Sequence, residues 1–275
     1  MTYKLLALDL DYTLLNDEQE ISAANQEAIK KAVQQGTLVT LATGRMFQST
    51  LAYARQHQLD LPLITYHGAL IKKANGKETL RHCTVPRQMA EEILAFAREE
   101  NYHVNLYLDD QLYVQEENEN TRYYQTIADV KVTAVGPLEP FVGKAGSEPT
   151  KITLICRDER FSSMEAAVRK KFGSHLAILR SRPYFLELTH KEATKGKALE
   201  ALAKPYGVRR EEVAAIGDSQ NDLDMLLYAG MGVAVANAAE EVKAAADFIT
   251  LANNEDGVAY FINKYILKRG NFVEN

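Results

Sequence analysis

Residues 3–8 form a nearly unbroken apolar run that stops abruptly at Asp9, Leu10 and Asp11. A strand without polar alternation suits burial on both faces, the habit of a parallel sheet. Ser22 stands where it can cap a helix with Ala28, Ile29, Ala32 and Val33 on one face, and Gly36 where it can end it. Residues 37–42 read as the next strand, closing in Thr43, Gly44 and Arg45. A helical pattern follows, then a strand at 63–66 and a turn at His67 and Gly68. The alternation over residues 1 to about 83 is that of βαβ units.

From residue 84 the texture changes. A helix at 86–100 precedes two alternating segments, 104–108 and 112–115, joined by Asp109, Asp110 and Gln111 as a hairpin turn. Residues 136–149, rich in Gly and Pro, read as a loop. A strand at 151–156, a helix at 161–172 and a hairpin of 178–182 with 184–188 complete a mixed α+β segment. After Thr189 the first texture returns with a helix at 195–206 and strands at 213–216 and 232–235. Asn237 and Glu240 read as a capping-box helix start. The mildly basic tail from Lys268 reads as a frayed end. The fold class expected is α/β: a Rossmann-like, doubly wound parallel-sheet core of residues 1–83 and 188–275, interrupted by an inserted α+β domain at 84–187.

Composition adds bounds. The chain has 275 residues, 46% of them hydrophobic, which is enough for one large core and a smaller one. A net charge of -5 disfavours nucleic acid and anionic lipid as general partners but leaves room for a small anion held locally. No run of 18 or more apolar residues is present, and the first residues lead at once into a core strand, so a cytoplasmic protein with no membrane partner is expected. Cys83 and Cys156 lack metal-ligand spacing and read as buried thiols.

Three polar clusters follow the carboxyl ends of expected core strands: Asp9 with Asp11, Thr43 with Gly44, and Gly217 to Asp222. Open parallel sheets bind ligands along that rim, so the clusters converge on one crevice. Side chains two apart on extended backbone point the same way, and Asp9 and Asp11 can address one bound group. Together the residues suit phosphoryl transfer. Asp9 is assigned attack on phosphorus and Asp11 proton transfer. Thr43, Gly44 and Lys195 can surround the three equatorial oxygens of the transferring group. Two carboxylates about 6 Å apart repel by roughly 3 kcal/mol at an effective dielectric of about 20, so the acids call for a cation. Oxygen ligands favour Mg²⁺, with Asp9, Asp218 and the main-chain carbonyl of Asp11 as inner ligands and Asp222 in support. Asn221 can donate to phosphate.

These residues resemble the haloacid dehalogenase superfamily, and within it the Cof-like phosphatases with a type IIB cap. Asp9-Leu10-Asp11-Tyr12-Thr13-Leu14 resembles the first motif, Ala42-Thr43-Gly44-Arg45 the second, Lys195-Gly196 the third, and Gly217-Asp218 with Asn221-Asp222 the fourth. The resemblance spans the whole chain. It implies an aspartyl-phosphate intermediate on Asp9, Mg²⁺, a cap inserted between the second and third motifs, and phosphate contact by the Leu10 and Gly44 amides, Thr43, Lys195 and Asn221. Tyr12 stands where glycine is common in the family, and His67-Gly68-Ala69 where Asn-Gly-Ala is frequent.

Other residues divide by their ordinary uses. Gly196 beside Lys195 permits close approach by phosphate. Arg45 can hold substrate or pair with an acid, and Tyr12 can contact substrate or pack; both are secondary substrate candidates. Asp224 reads as a solvated helix residue, and Tyr107, Tyr113, Tyr123 and Tyr124 chiefly as packing. The expected function is a Mg²⁺-dependent phosphatase of small phosphate monoesters, sugar phosphates first, then a flavin-pathway intermediate or pyridoxal phosphate. A phosphotransferase or mutase of the same superfamily, or a phospho-aspartate signalling receiver, are the rivals. The expected assembly is a monomer or weak homodimer.

Overall fold

A computed structural model describes residues 3–57, 59, 62–128 and 130–267, and the tail from Lys268 lies outside the described residues. In chain order the strands are β1 (Leu5–Leu8), β2 (Leu38–Ala42), β3 (Pro62–Thr65), β4 (Leu70–Lys73), β5 (Thr79–His82), β6 (His103–Leu108), β7 (Gln111–Val114), β8 (Val132–Ala134), β9 (Lys151–Ile155), β10 (Leu176–Arg182), β11 (Phe185–His190), β12 (Val213–Gly217), β13 (Met231–Ala234) and β14 (Phe248–Ile249). The chain divides into two compact units. One takes residues up to Arg45, Thr50–Arg81 and Thr194 onward; the other takes Met46–Ser49 and His82–Ala193.

The first unit is a Rossmann-like α/β fold on an eight-stranded sheet of order β14-β13-β12-β1-β2-β3-β4-β5. Strand β1 lies in the middle, parallel to both neighbours, with Leu5 opposite Leu38 on one side and Val213 on the other. Its side chains Leu5, Leu6, Ala7 and Leu8 are wholly buried, as an unalternating apolar run requires. Each buried leucine contributes roughly 1.5–3 kcal/mol. The crossover from β1 to β2 runs through the helix Ala23–Gln34, where the Ser22 hydroxyl accepts from the Asn25 amide at 3.1 Å. Because the chain reaches β2 on one side of β1 and β12 on the other, the sheet has its switch point at the carboxyl end of β1.

The second unit carries a six-stranded sheet of order β10-β11-β9-β6-β7-β8. Val104, Leu106, Ile152, Leu154, Leu186 and Leu188 share a core with residues of the helices Arg87–Glu99 and Phe161–Phe172. The intervening positions are polar. Asn105, Thr153 and Glu187 pair across β6, β9 and β11, and Tyr107 pairs with Lys151. Lys151 Nζ lies 2.7 Å from Glu187 Oε2, and Ser181 Oγ donates to Glu187 Oε1 at 2.6 Å.

Several elements depart from the sequence reading. The expected loop at 136–149 contains a helix, Leu138–Lys144, whose Leu138 and Val142 are buried one turn apart. Pro140 falls in its first turn, where a missing N–H costs nothing. Residues Glu119–Gln125 form a helix capped by Asn118, which accepts from the Asn120 and Thr121 amides. Asn237 does not cap a helix. The helix Glu240–Ala245 starts after Ala239 without a side-chain cap, while Asn237 donates to the Tyr12 carbonyl at 2.8 Å and accepts from the Asn253 amide at 2.9 Å. A long-range tie has taken the side chain that local spacing assigned to a cap.

Candidate active site

Backbone pairing sets the positions of the polar clusters. The Asp9 amide donates to the Ile216 carbonyl at 2.9 Å, and the Thr43 amide to the Ile64 carbonyl at 2.9 Å, so both residues continue the sheet ladders past the ends of β1 and β2. Asp218 follows β12. Lys195 opens the helix Lys195–Ala203, whose Thr194 hydroxyl accepts from the Lys197 amide. Sheet order therefore brings Asp9, Thr43 and Asp218 to neighbouring strand ends.

Lys195 is 1% exposed, which removes it from the class of solvated lysines. Its ammonium donates to Asp9 Oδ1 at 2.6 Å and to Asp222 Oδ1 at 2.6 Å. Burial works against its charge, but Asp222 and Asp9 outweigh burial and hold it above the ordinary lysine value. Asp9 is pushed well above the carboxylate range, first by burial and then by the Asp222 charge, with Lys195 opposing. Asp218 is pushed up to about 6 by burial and then by Asp222.

Asp222 has a different role from its neighbours. Its Oδ2 accepts from the Asp218 amide at 3.2 Å and the Ser219 amide at 3.1 Å, while its Oδ1 meets Lys195. Both oxygens are engaged in holding the turn and the lysine. Asp9, Asp218 and Asp222 nonetheless offer oxygens that all lie within 4.8 Å of one another. The Thr13 hydroxyl donates to Asp218 Oδ1 at 3.3 Å and ties the first motif to the last.

Asp11 stands apart from this lysine-centred cluster and is gripped by Arg45, whose Nη2 donates to Asp11 Oδ1 at 2.5 Å and whose Nε donates to Oδ2 at 2.9 Å. Arg45 thus pairs with an acid, one of the two uses expected for it. Tyr12 has φ of 57°, the left-handed region that glycine enters without strain, and its side chain is 48% exposed. Leu10 is buried, and its carbonyl accepts from the Leu15 amide. Asn221 is half-buried, with its side-chain oxygen accepting from Ser219 Oγ at 2.9 Å.

Gly44 carries the His67 ring against its backbone: a Cβ there would stand 2.2 Å from the ring. His67 itself has φ of 57°, is buried, and donates its amide to the Thr43 carbonyl at 3.0 Å. It packs the second motif. Gly196 also serves packing. A Cβ at that position would lie 2.5 Å from the Asp224 carbonyl oxygen, and the Gly196 amide donates to Asp224 Oδ2 at 2.9 Å. The reason for glycine beside Lys195 is thus the close approach of the next helix, and Asp224 is a structural acceptor instead of a solvated acid.

Sequence reasoning missed Thr13 and Asn237 as parts of this site. Thr13 lies inside the first motif, so position was a usable signal; Asn237 gave none beyond its helix-start spacing.

Comparison with known proteins identifies the family. The profile of the haloacid dehalogenase-like hydrolase family matches residues 6–262. The phosphatase YwpJ of Bacillus subtilis is 31% identical over 287 residues, covering 96% of this chain and 100% of that protein. The 5-amino-6-(5-phospho-D-ribitylamino)uracil phosphatase YwtE of the same organism is 31% identical over 283 residues, covering 96% and 98%. A solved structure, that of the HAD subclass IIB sugar phosphatase BT4131, superposes with a TM-score of 0.82 at 27% identity, covering 94% of this chain and 98% of that one. With its acid cluster at the strand ends of a Rossmann-like sheet, and a profile match over most of its length, this chain belongs to the haloacid dehalogenase-like hydrolase family of enzymes.

Proposed function

We propose that the protein is a magnesium-dependent phosphatase that hydrolyses small phosphate monoesters through a phosphoester on Asp9. The observation that carries this reading is the buried Lys195 ammonium, 2.6 Å from both Asp9 and Asp222, beside a third acid at Asp218. One lysine faces three carboxylates, and two of them, Asp9 and Asp218, are held above their ordinary range. That charge imbalance, with only oxygen donors, fits Mg²⁺. Asp9, Asp218 and the Asp11 carbonyl would hold it, and Asp222 would support them. The cation would neutralise charge shared by the carboxylates and the incoming phosphate.

In the first step an Asp9 oxygen attacks phosphorus, the bond to the leaving oxygen breaks, and Asp11 gives that oxygen a proton. In the second, Asp11 takes a proton from water, the water oxygen attacks phosphorus, and the Asp9 ester bond breaks to release inorganic phosphate. Lys195, Thr43, Asn221 and the Leu10 and Gly44 amides bind the phosphoryl oxygens. Arg45 and Tyr12 lie next to this machinery.

The inserted segment 84–187 is read as the cap. Relatives named for a sugar phosphate and for a ribityl phosphate support compact polyol phosphates as the substrate class. Among the described residues no helix is long and apolar enough to cross a membrane, consistent with the proposed cytoplasmic location.

The test is a panel of phosphorylated metabolites, including sugar phosphates and pyridoxal phosphate, assayed with Mg²⁺, with chelator, and with D9N. Phosphate release is expected only from the wild-type protein with Mg²⁺. Full activity under chelation would remove the metal assignment, and full activity of D9N would remove the nucleophile.

A further inference from the structure

We propose that Arg45 and Gln19 form a bracket that positions Asp11 for proton transfer, a role that rests on the phosphatase reading above. The first motif carries two acids, and the fold gives each its own cation. Asp9 takes the point charge of Lys195, and Asp11 takes the planar fork of Arg45. A lysine holds a carboxylate loosely in orientation, whereas a two-nitrogen fork fixes its plane.

The bracket is itself held from several sides. Arg45 Nη2 also donates to Gln19 Oε1 at 2.7 Å, and the guanidinium lies 5.0 Å from the centroid of the Tyr53 ring. The Arg45 amide donates to Thr43 Oγ1 at 3.1 Å, and its carbonyl accepts from the Tyr66 amide at 2.9 Å. Gln19 sits with φ of 64° at the tip of a tight turn in which its amide donates to the Asn16 carbonyl at 3.0 Å. Leu15 and Ile21 bridge across the base of that turn. Gln19 therefore approaches Arg45 from a braced loop, and Arg45 transmits that placement to Asp11.

The chemistry follows from the inventory of donors and lone pairs. Arg45 cannot surrender a proton in the working pH range, so it cannot replace Asp11 as acid. Asp11 Oδ1 receives Nη2, while Oδ2 receives only Nε at normal hydrogen-bond length and keeps a second lone-pair direction for the leaving oxygen. Arg45 and Gln19 are thus positioning residues, acting on substrate through Asp11.

Such a role depends on the leaving group. Nitrophenolate departs with little protonation, and a sugar alkoxide needs a proton donor. The experiment compares kcat/KM for p-nitrophenyl phosphate with that for the sugar phosphate turned over fastest in the panel, for wild type, R45M, R45K, Q19A, D11N and R45M/D11N. Since kcat/KM reports steps up to leaving-group departure, the later hydrolysis of the Asp9 ester does not enter. General acid catalysis is worth about 10² to 10⁴-fold, so R45M is expected to lose about 10²-fold on the sugar phosphate and no more than about 5-fold on the nitrophenyl ester. R45K falls between wild type and R45M, and Q19A loses a smaller factor with the same selectivity. In the D11N background R45M should add nothing.

Equal losses on both substrates, or a full R45M effect on top of D11N, would overturn the proposal. Should R45M fail to fold, Q19A on its exposed turn and R45K carry the same comparison. Absence of turnover of either ester by the wild-type protein would instead count against the phosphatase reading itself.

Discussion

Lys195 Nζ and Asp9 Oδ1 meet at 2.6 Å across 186 positions of sequence, and both side chains are buried. The lysine is the internal counter-charge of the acid cluster, present whether or not a cation is bound. Replacing it by methionine keeps the stem and deletes the charge, leaving Asp9 and Asp222 without their shared donor. Breaking a buried pair in this way costs about 3–5 kcal/mol. K195M is expected to unfold at markedly lower temperature and to lose at least about 10²-fold in kcat, the scale of deleting one transition-state donor. Thermal unfolding with and without Mg²⁺, beside steady-state rates, checks both.

Asp218 leads to a pH dependence. Its folded value near 6 lies above the unfolded carboxylate value, so the folded protein binds this proton more tightly than the unfolded chain. As pH rises from about 4 to about 6 the metal-free protein loses stability from this group, on the order of 3 kcal/mol, and the loss persists above that window. Cation binding requires the deprotonated form, so the rise in Tm on adding Mg²⁺ should be larger at pH 7.5 than at pH 5. D218N is expected to raise Tm in chelator at pH 7.5 and to respond weakly to Mg²⁺. A chelated D218N protein less stable than wild type at that pH would contradict the assignment.

Gly196 provides a case in which propensity and packing predict opposite signs. In an exposed helix interior, Gly→Ala stabilises by about 1 kcal/mol. Here the added methyl would stand 2.5 Å from the Asp224 carbonyl oxygen, a contact that neither backbone can easily relieve. G196A should therefore destabilise, by about 1–3 kcal/mol as for other overpacked sites. Denaturant midpoints of wild type and G196A decide the sign.

Tyr12 pays for its left-handed backbone. Because the ring is half-exposed, little packing is lost on truncation, and the comparison of interest is between two small residues. Y12G should be more stable than Y12A by about 1 kcal/mol, since only alanine retains a Cβ at φ of 57°. Equal Tm values for the two variants would show that the αL turn relaxes when the ring is removed.

Much of the architecture was legible because its signals are local. Strand β1 has no polar position, Ser22 sits at a helix start, and the Asp109-Asp110 turn has both residues at positive φ, of 51° and 58°. The grouping of the polar clusters at strand ends was legible because parallel-sheet topology gathers them at one rim. What was hidden depends on distant partners. Gly196 read as an opening for phosphate, yet its neighbour is a helix 28 residues on. Asn237 read as a cap, yet it binds a carbonyl 225 residues back. The alternation of Lys151 and Thr153 with Ile152 and Leu154 marks β9 as a strand but not its partners, which only the pairing with β6 supplies.

The place of β1 between β2 and β12 also governs how the protein is born. A ribosome delivers Asp9, Asp11, Thr43 and Arg45 early, while β12, the second neighbour of β1, and Lys195 just before it, emerge only after the whole of β6 to β11 has been made. Until then β1 has an unpaired edge, an adhesive flank that invites wrong partners or a chaperone. The middle unit has an apolar core of its own to fold around during that interval, and chemical competence arrives in a single late event, when the returning chain docks beside its first strand.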